Sequence, residues 1–183
     1  MSEKNKIDLE SFKLIVETVL DAKNPELLGS QLTLLLVGLL EIKGAAFFIV
    51  NPRKEELEIL AAHGLSQEYK AKGSVLMDRS IKHESNLEPV VIQDTQDTDR
   101  LQYPEQAEKE GIRSIVSFPV KLHGKIIGAL RIYHSEVWDV NHEELGYLQV
   151  LSKNLALALK AFRLSADIVK IREALEDIHP IWL

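Results

Sequence analysis

Gly111–Lys160 reads GIRSIVSFPVKLHGKIIGALRIYHSEVWDVNHEELGYLQVLSKNLALALK. Arg113 to Val120 and Ile126 to Tyr133 are apolar-rich runs of strand length, and His123-Gly124 between them is a turn. Asn141, with Glu144 three residues on, gives a capping-box-like opening to a helix. That helix continues to about Asp177, and Pro180 stops any further growth. The stretch therefore predicts a hairpin followed by a long helix.

Upstream, Leu9 to Ala22 carries apolar residues three and four apart, with Asp8 as N-cap. Asn24-Pro25-Glu26 restarts the chain: Asn caps, Pro suits the first helical position, and Glu complements the helix dipole. The second helix is expected from Pro25 to about Ile42, ending at Gly44. Its leucines cover most of the circumference, so it should be buried on more than one side, against a sheet and against something else such as a partner subunit. Ala45 to Val50 and Leu57 to Ala62 form a hairpin about the Asn51-Pro52-Arg53-Lys54 turn. Ser66 to Lys72 and Pro104 to Glu110 are short helices ending at Gly73 and Gly111. Val75 to Tyr103 is irregular, with one strand-like run, Pro89 to Ile92; the polar tract Gln93 to Asp99 reads as a solvated loop. Hairpins separated by helices give an α+β fold with a mostly antiparallel sheet.

Bulk properties narrow the function. The 183 residues are 45% apolar, enough for one core, and 28 acidic against 22 basic residues leave a net charge of -6. That balance argues against a nucleic-acid partner and against an anionic membrane surface. There is no cysteine, which excludes disulfides, thiolate catalysis and cysteine-ligated metal. The N-terminal stretch lacks a signal-like apolar run, and Leu32 to Leu40 falls short of the ~20 residues a bilayer span needs, so the expected location is cytoplasmic.

The strand Val90-Val91-Ile92 followed by Asp94, Gly111-Ile112-Arg113-Ser114 entering Val116-Ser117-Phe118-Pro119-Val120, Gly124 to Leu130, and Trp138 before Glu143-Glu144-Leu145 together resemble a GAF domain. The resemblance spans roughly Pro25 to Phe162. It implies a central antiparallel sheet of five to six strands, terminal helices on one face, and a covered ligand cavity on the other. The expected division is residues 1–24 as an N-terminal helix, 25–162 as the GAF-like domain, and 163–183 as an extension of the last helix.

Alternation along the strands then assigns faces. Ile126, Gly128, Leu130 and Ile132, with Val116, Phe118 and Val120, should meet the helices. Ile127, Ala129, Arg131 and Tyr133, with Ile115, Ser117 and Pro119, should face the cavity. The candidate ligand-binding residues are Phe48, Ile115, Ser117, Ala129, Arg131 and Tyr133. Arg131 would pair with an anion, or else form a salt bridge with Asp94 or Asp97. Gly128 should let a helix approach, Pro119 suits a strand edge or bulge, and Trp138 should plug the core below the last helix.

Family chemistry is mostly ruled out by composition. Covalent bilin attachment and methionine-sulfoxide reduction require cysteine. The cyclic-nucleotide pattern is replaced by Tyr133-His134, Trp138 and His142-Glu143, and the scattered histidines lack zinc-site spacing. His63 and His134, at strand ends near the expected cover, would be the places for a haem ligand, but no cofactor is expected. No phosphate cradle or nucleophile elbow is present, so no enzymatic activity is expected.

The resemblance implies a regulatory module that binds an unidentified small ligand and signals through the terminal helices of a homodimer to an output domain elsewhere. The rival reading is a ligand-free dimerisation scaffold whose cavity is filled by its own side chains. In the last helix Leu148, Leu155, Phe162 and Val169 fall seven apart, but the companion positions Ser152, Leu159, Ala166 and Glu173 are poor. A coiled coil and a helix packed on its own first helix both fit.

Overall fold

The computed structural model describes residues 7–76, 88–96 and 99–178, with side chains as far as Leu175. Asp97, His83, His179, Pro180 and part of the expected cavity cover lie outside the described residues. The chain runs α1 (Leu9–Asp21), α2 (Pro25–Leu40), β1 (Gly44–Asn51), β2 (Glu56–His63), α3 (Gln67–Lys70), β3 (Val75–Leu76), β4 (Val90–Ile92), α4 (Pro104–Glu110), β5 (Ser114–Leu122), β6 (Lys125–His134) and α5 (His142–Ile178). The six strands form one antiparallel sheet in the order β3-β2-β1-β6-β5-β4. The fold is α+β.

Local chemistry sets the helix starts. Asp8 Oδ1 accepts from Ser11 N at 2.8 Å, and Asn24 Oδ1 accepts from Leu27 N at 2.8 Å, each satisfying an amide with no partner inside its helix. At α5 both halves of the capping box form: Asn141 Oδ1 accepts from Glu144 N at 2.9 Å, and Glu144 Oε2 accepts from Asn141 N at 3.2 Å. Helix α2 stops at Glu41, in the left-handed region at φ 50, and not at Gly44, which already belongs to β1.

Two apolar cores lie on opposite faces of the sheet. On one face α1, α2 and α5 cover Ala45, Phe47, Val116, Phe118, Val120, Leu130 and Ile132, with Trp138 sealed among them. On the other, Tyr69 of α3, Val75 of β3 and Ala107 of α4 pack with Ala46, Phe48, Ile115, Ala129 and Tyr133. In α2, Leu28, Leu32, Leu36 and Leu40 are buried at four-residue spacing, while α1 packs on a second side. Leu27 and Leu34 stay exposed.

Three strand details depart from simple alternation. The β5–β6 register shifts between Val120 and Lys121, and Ile127 packs on the helical core although alternation placed it on the cavity side. A Cβ on Gly128 would lie 2.3 Å from Phe48 O, so this glycine serves the approach of the neighbouring strand β1, not of a helix. Helix-to-sheet approach falls instead to Gly29, where a Cβ would lie 2.9 Å from Ala61 Cβ of β2. Pro119 tolerates its missing N–H because β4 pairs only with Ile115–Ser117, leaving β5 a local edge there.

Candidate functional site

All six candidate residues lie on the face away from the terminal helices. Phe48, Ile115, Ala129 and Tyr133 belong to that core. Ser117 and Arg131 are cross-strand partners, and Arg131 Nε donates to Ser117 Oγ at 3.4 Å. The guanidinium sits 5.0 Å from the Phe48 ring centroid, a cation–π arrangement on a buried side chain.

Only three of the six line the hollow itself. Its walls are Ile115, Arg131 and Tyr133 from the sheet, Tyr69 and Lys72 from α3 and the turn after it, Val75 of β3, and the run Leu101–Tyr103 with Ala107. The volume is about 20 Å³, room for about one water. Phe48, Ser117 and Ala129 do not line it.

The sequence reading passed over Tyr69, Lys72 and Tyr103. Tyr69 meets Tyr133 edge-on at 5.8 Å between centroids. The Lys72 ammonium lies 3.7 Å above the Tyr69 ring and 5.9 Å from that of Tyr103, and donates to Tyr69 O at 3.0 Å. Tyr103 OH donates to Ser74 O at 2.8 Å; Gln102 Nε2 donates to the same carbonyl at 2.9 Å, and its Oε1 accepts from Leu76 N at 3.2 Å. The one usable sequence signal was the short helix expected at Ser66 to Lys72, which presents a tyrosine and a lysine three apart.

The electrostatics of the hollow are cationic. Burial, and then repulsion from Arg131, lower the Lys72 ammonium to about 8, partly opposed by Glu110. Burial pushes both the Tyr69 and Tyr133 phenols up, with Arg131 drawing each back in part, so both are neutral donors at physiological pH. Beside the hollow, α4 is fastened to α3. Glu110 accepts from Ser66 N at 2.9 Å and from the Ser66 hydroxyl, and pairs with Lys43 at 3.5 Å. Partial burial raises the Glu110 carboxyl, but the Ser66 hydrogen bonds and Lys43 hold it below its usual range.

Three expectations are corrected. Asp94 does not reach Arg131: its carboxylate pairs with Arg113 at 2.6 Å. The tract around it is no plain solvated loop, because Thr95 is buried, donating its hydroxyl to Ile112 O at 2.8 Å and its amide to Arg113 O at 2.7 Å. His63 and His134 lie on the helical face. His63 Nδ1 is 2.8 Å from Thr33 Oγ1 of α2; the His134 ring lies tilted 5.9 Å from that of Trp138, and its Nδ1 accepts from Glu136 N at 2.9 Å.

The chain belongs to the GAF domain family, whose match covers residues 24–159. No curated protein matches it. Among solved structures it is similar to the GAF domain of a phosphoenolpyruvate-protein phosphotransferase from Coxiella burnetii, at TM-score 0.74 and 20% identity, covering 87% of this chain and 96% of that one. It is also similar to free methionine-R-sulfoxide reductase from Neisseria meningitidis in complex with its substrate, at TM-score 0.72 and 17% identity over 88% of this chain and 97% of the other. A domain of a putative two-component sensor histidine kinase from Sinorhizobium meliloti gives TM-score 0.58 at 21% identity, over 82% and 92%. Identities this low speak to the fold. GAF domains are typically regulatory or sensory modules of signalling proteins. No helix among the described residues is long and apolar enough to cross a membrane.

Proposed function

We propose that this GAF domain is a non-enzymatic regulatory module that takes a small anionic ligand between Arg131 and Lys72, and that its terminal helices relay the change across a homodimer to an output protein. The observation that supports the anion is the pairing of two cations in one tyrosine-walled hollow, close enough that Arg131 depresses Lys72. Arg131 offers a forked donor set on a rigid strand; Lys72 is a point charge on a turn that can swing off the Tyr69 ring. The neutral phenols supply directional donors. A ligand larger than a water must displace Lys72 and widen the hollow, and that differential demand on two arrangements is what couples binding to a signal. The absence of cysteine in these 183 residues favours binding over the thiol chemistry possible on this fold.

The scaffold reading has one observation in its favour: about 20 Å³ is far below the ~300 Å³ at which ligand clefts begin. Native mass spectrometry of the protein isolated from its own host decides between them. The expected result is a co-purified anion whose affinity falls roughly tenfold or more in Arg131→Ala. Its affinity should also weaken as pH rises through about 8, where Lys72 loses its charge. An empty protein, together with a melting temperature lowered by several degrees in Arg131→Ala, would instead make Arg131 a structural residue of a scaffold.

A further inference from the structure

Tyr69 has a second cavity against it. A groove of about 300 Å³ lies between α3 and α4, lined by Glu68 and Tyr69 of α3, by Gln106, Lys109 and Glu110 of α4, and by Lys43 ahead of β1. Tyr69 is the one residue it shares with the hollow at Arg131. That hollow holds about one water, whereas the groove reaches the ~300 Å³ at which small-molecule clefts begin.

Two of the charges in its wall are already committed. The Glu110 side chain is only 7% exposed; it accepts from the Ser66 amide and hydroxyl and pairs with Lys43. The Lys43 stem lies over the end of α4, where a Cβ on Gly111 would stand 4.0 Å from Lys43 Cε, an ordinary contact. This clamp fixes the two short helices and so holds the groove open between them.

The other two charges are unspent. Glu68 on α3 and Lys109 on α4 are exposed, opposite in sign and line the same groove. Neither is ion-paired among the described residues, with the other or with any third group. The four charges of the wall, Lys43 and Lys109 against Glu68 and Glu110, sum to zero. A plain anion or a plain cation therefore meets repulsion along with attraction, while a zwitterion meets attraction at both ends. The Gln106 amide can donate and accept, and the Tyr69 ring supplies apolar surface. We propose that the α3–α4 groove is a second small-molecule site, and that it takes a zwitterion, a free amino acid or short peptide, with its ammonium on Glu68 and its carboxylate on Lys109. This goes beyond the anion reading of the inner hollow and does not depend on it.

The test titrates the full chain with the twenty L-amino acids and glycyl-leucine at millimolar concentration, read by amide NMR. Each compound is paired with its N-acetyl and its carboxamide form, which lack one charge. The expected result is that at least one zwitterion shifts the amides of Ser66–Lys70 and Gln106–Glu110, and that both of its singly charged forms bind roughly tenfold more weakly or worse. Glu68→Lys and Lys109→Glu should each weaken that zwitterion by a similar factor. The double variant should recover it, because the ligand can turn end for end. Both side chains are exposed, so an unchanged sheet spectrum certifies the fold of each variant. No shift in α3 and α4 from any compound would overturn the proposal. So would N-acetyl or carboxamide forms that bind as well as the parent, or a double variant that fails to recover. Shifts confined to Arg131 and Tyr133 would overturn the groove while leaving the inner hollow as the ligand site.

Discussion

Asp94 shows how a single residue can be read correctly in type and wrongly in role. Its acidity suggested a partner for Arg131, but Arg113, on the same side of the β4–β5 pair, reaches it first at 2.6 Å. The Gln96 amide donates to the same carboxylate at 2.9 Å and, with Arg113, holds it below the usual carboxylate range. A depressed native pKa contributes stability that is present above the unfolded value, ~3.9, and is lost as pH falls through the native one. Asp94→Asn should therefore melt below the wild type at pH 7, with the gap narrowing as pH falls below about 3.9. Thermal melts of both proteins across that range measure it, and a gap indifferent to pH would mean the pair contributes nothing. The other site residues were legible to different degrees. Phe48, Ile115, Ser117, Ala129, Arg131 and Tyr133 share one face because strand alternation has a period of two, and a sequence carries that period on its own. Tyr69 and Lys72 were not legible as site residues, because they come to the hollow from a four-residue helix and the turn after it, with no periodicity to read.

At the scale of elements, what is local was readable. Helix α5 opens on a reciprocal cap formed within four residues, Asn141 to Glu144, and its sequence announces it. Asn141→Ala should cost about 1 kcal/mol and lower the melting temperature by roughly 3 °C, read by calorimetry. A loss under 0.3 kcal/mol, roughly, would show that tertiary packing alone starts this helix. What is set by a distant partner was not readable. Strand β3 is two residues long and exists through Leu57–Val75 and Glu56–Leu76 pairing and the Gln102 side chain. The bulge between Val120 and Lys121, which sends Ile127 to the helical core, is likewise a property of two strands together.

For the whole molecule, the division of labour between the two faces of the sheet governs behaviour. The helical face holds the larger core and the terminal helices; the opposite face holds a small cationic hollow under α3 and α4. Because no described residue beyond Phe162 is packed on the core, a chain ending at Phe162 should keep the amide spectrum of β1, β5 and β6. It should sediment as a monomer at concentrations where the longer chain associates. A shifted sheet spectrum would mean that the distal helix folds back onto the domain in solution.

The sequence alone determined the α+β class, the GAF resemblance, the hairpin and capped helix of its second half, and the face on which Arg131 and Tyr133 stand. Each rests on spacing within a few residues, which survives without knowledge of neighbours. Tertiary structure decided the rest: that Asp94 belongs to Arg113, that Gly29 and not Gly128 admits the helix, that Lys72 shares the hollow, and which leucines of α5 remain bare. The reason is that these depend on which surface meets which. A stripe of leucines looks the same in sequence whether a sheet already covers it or not.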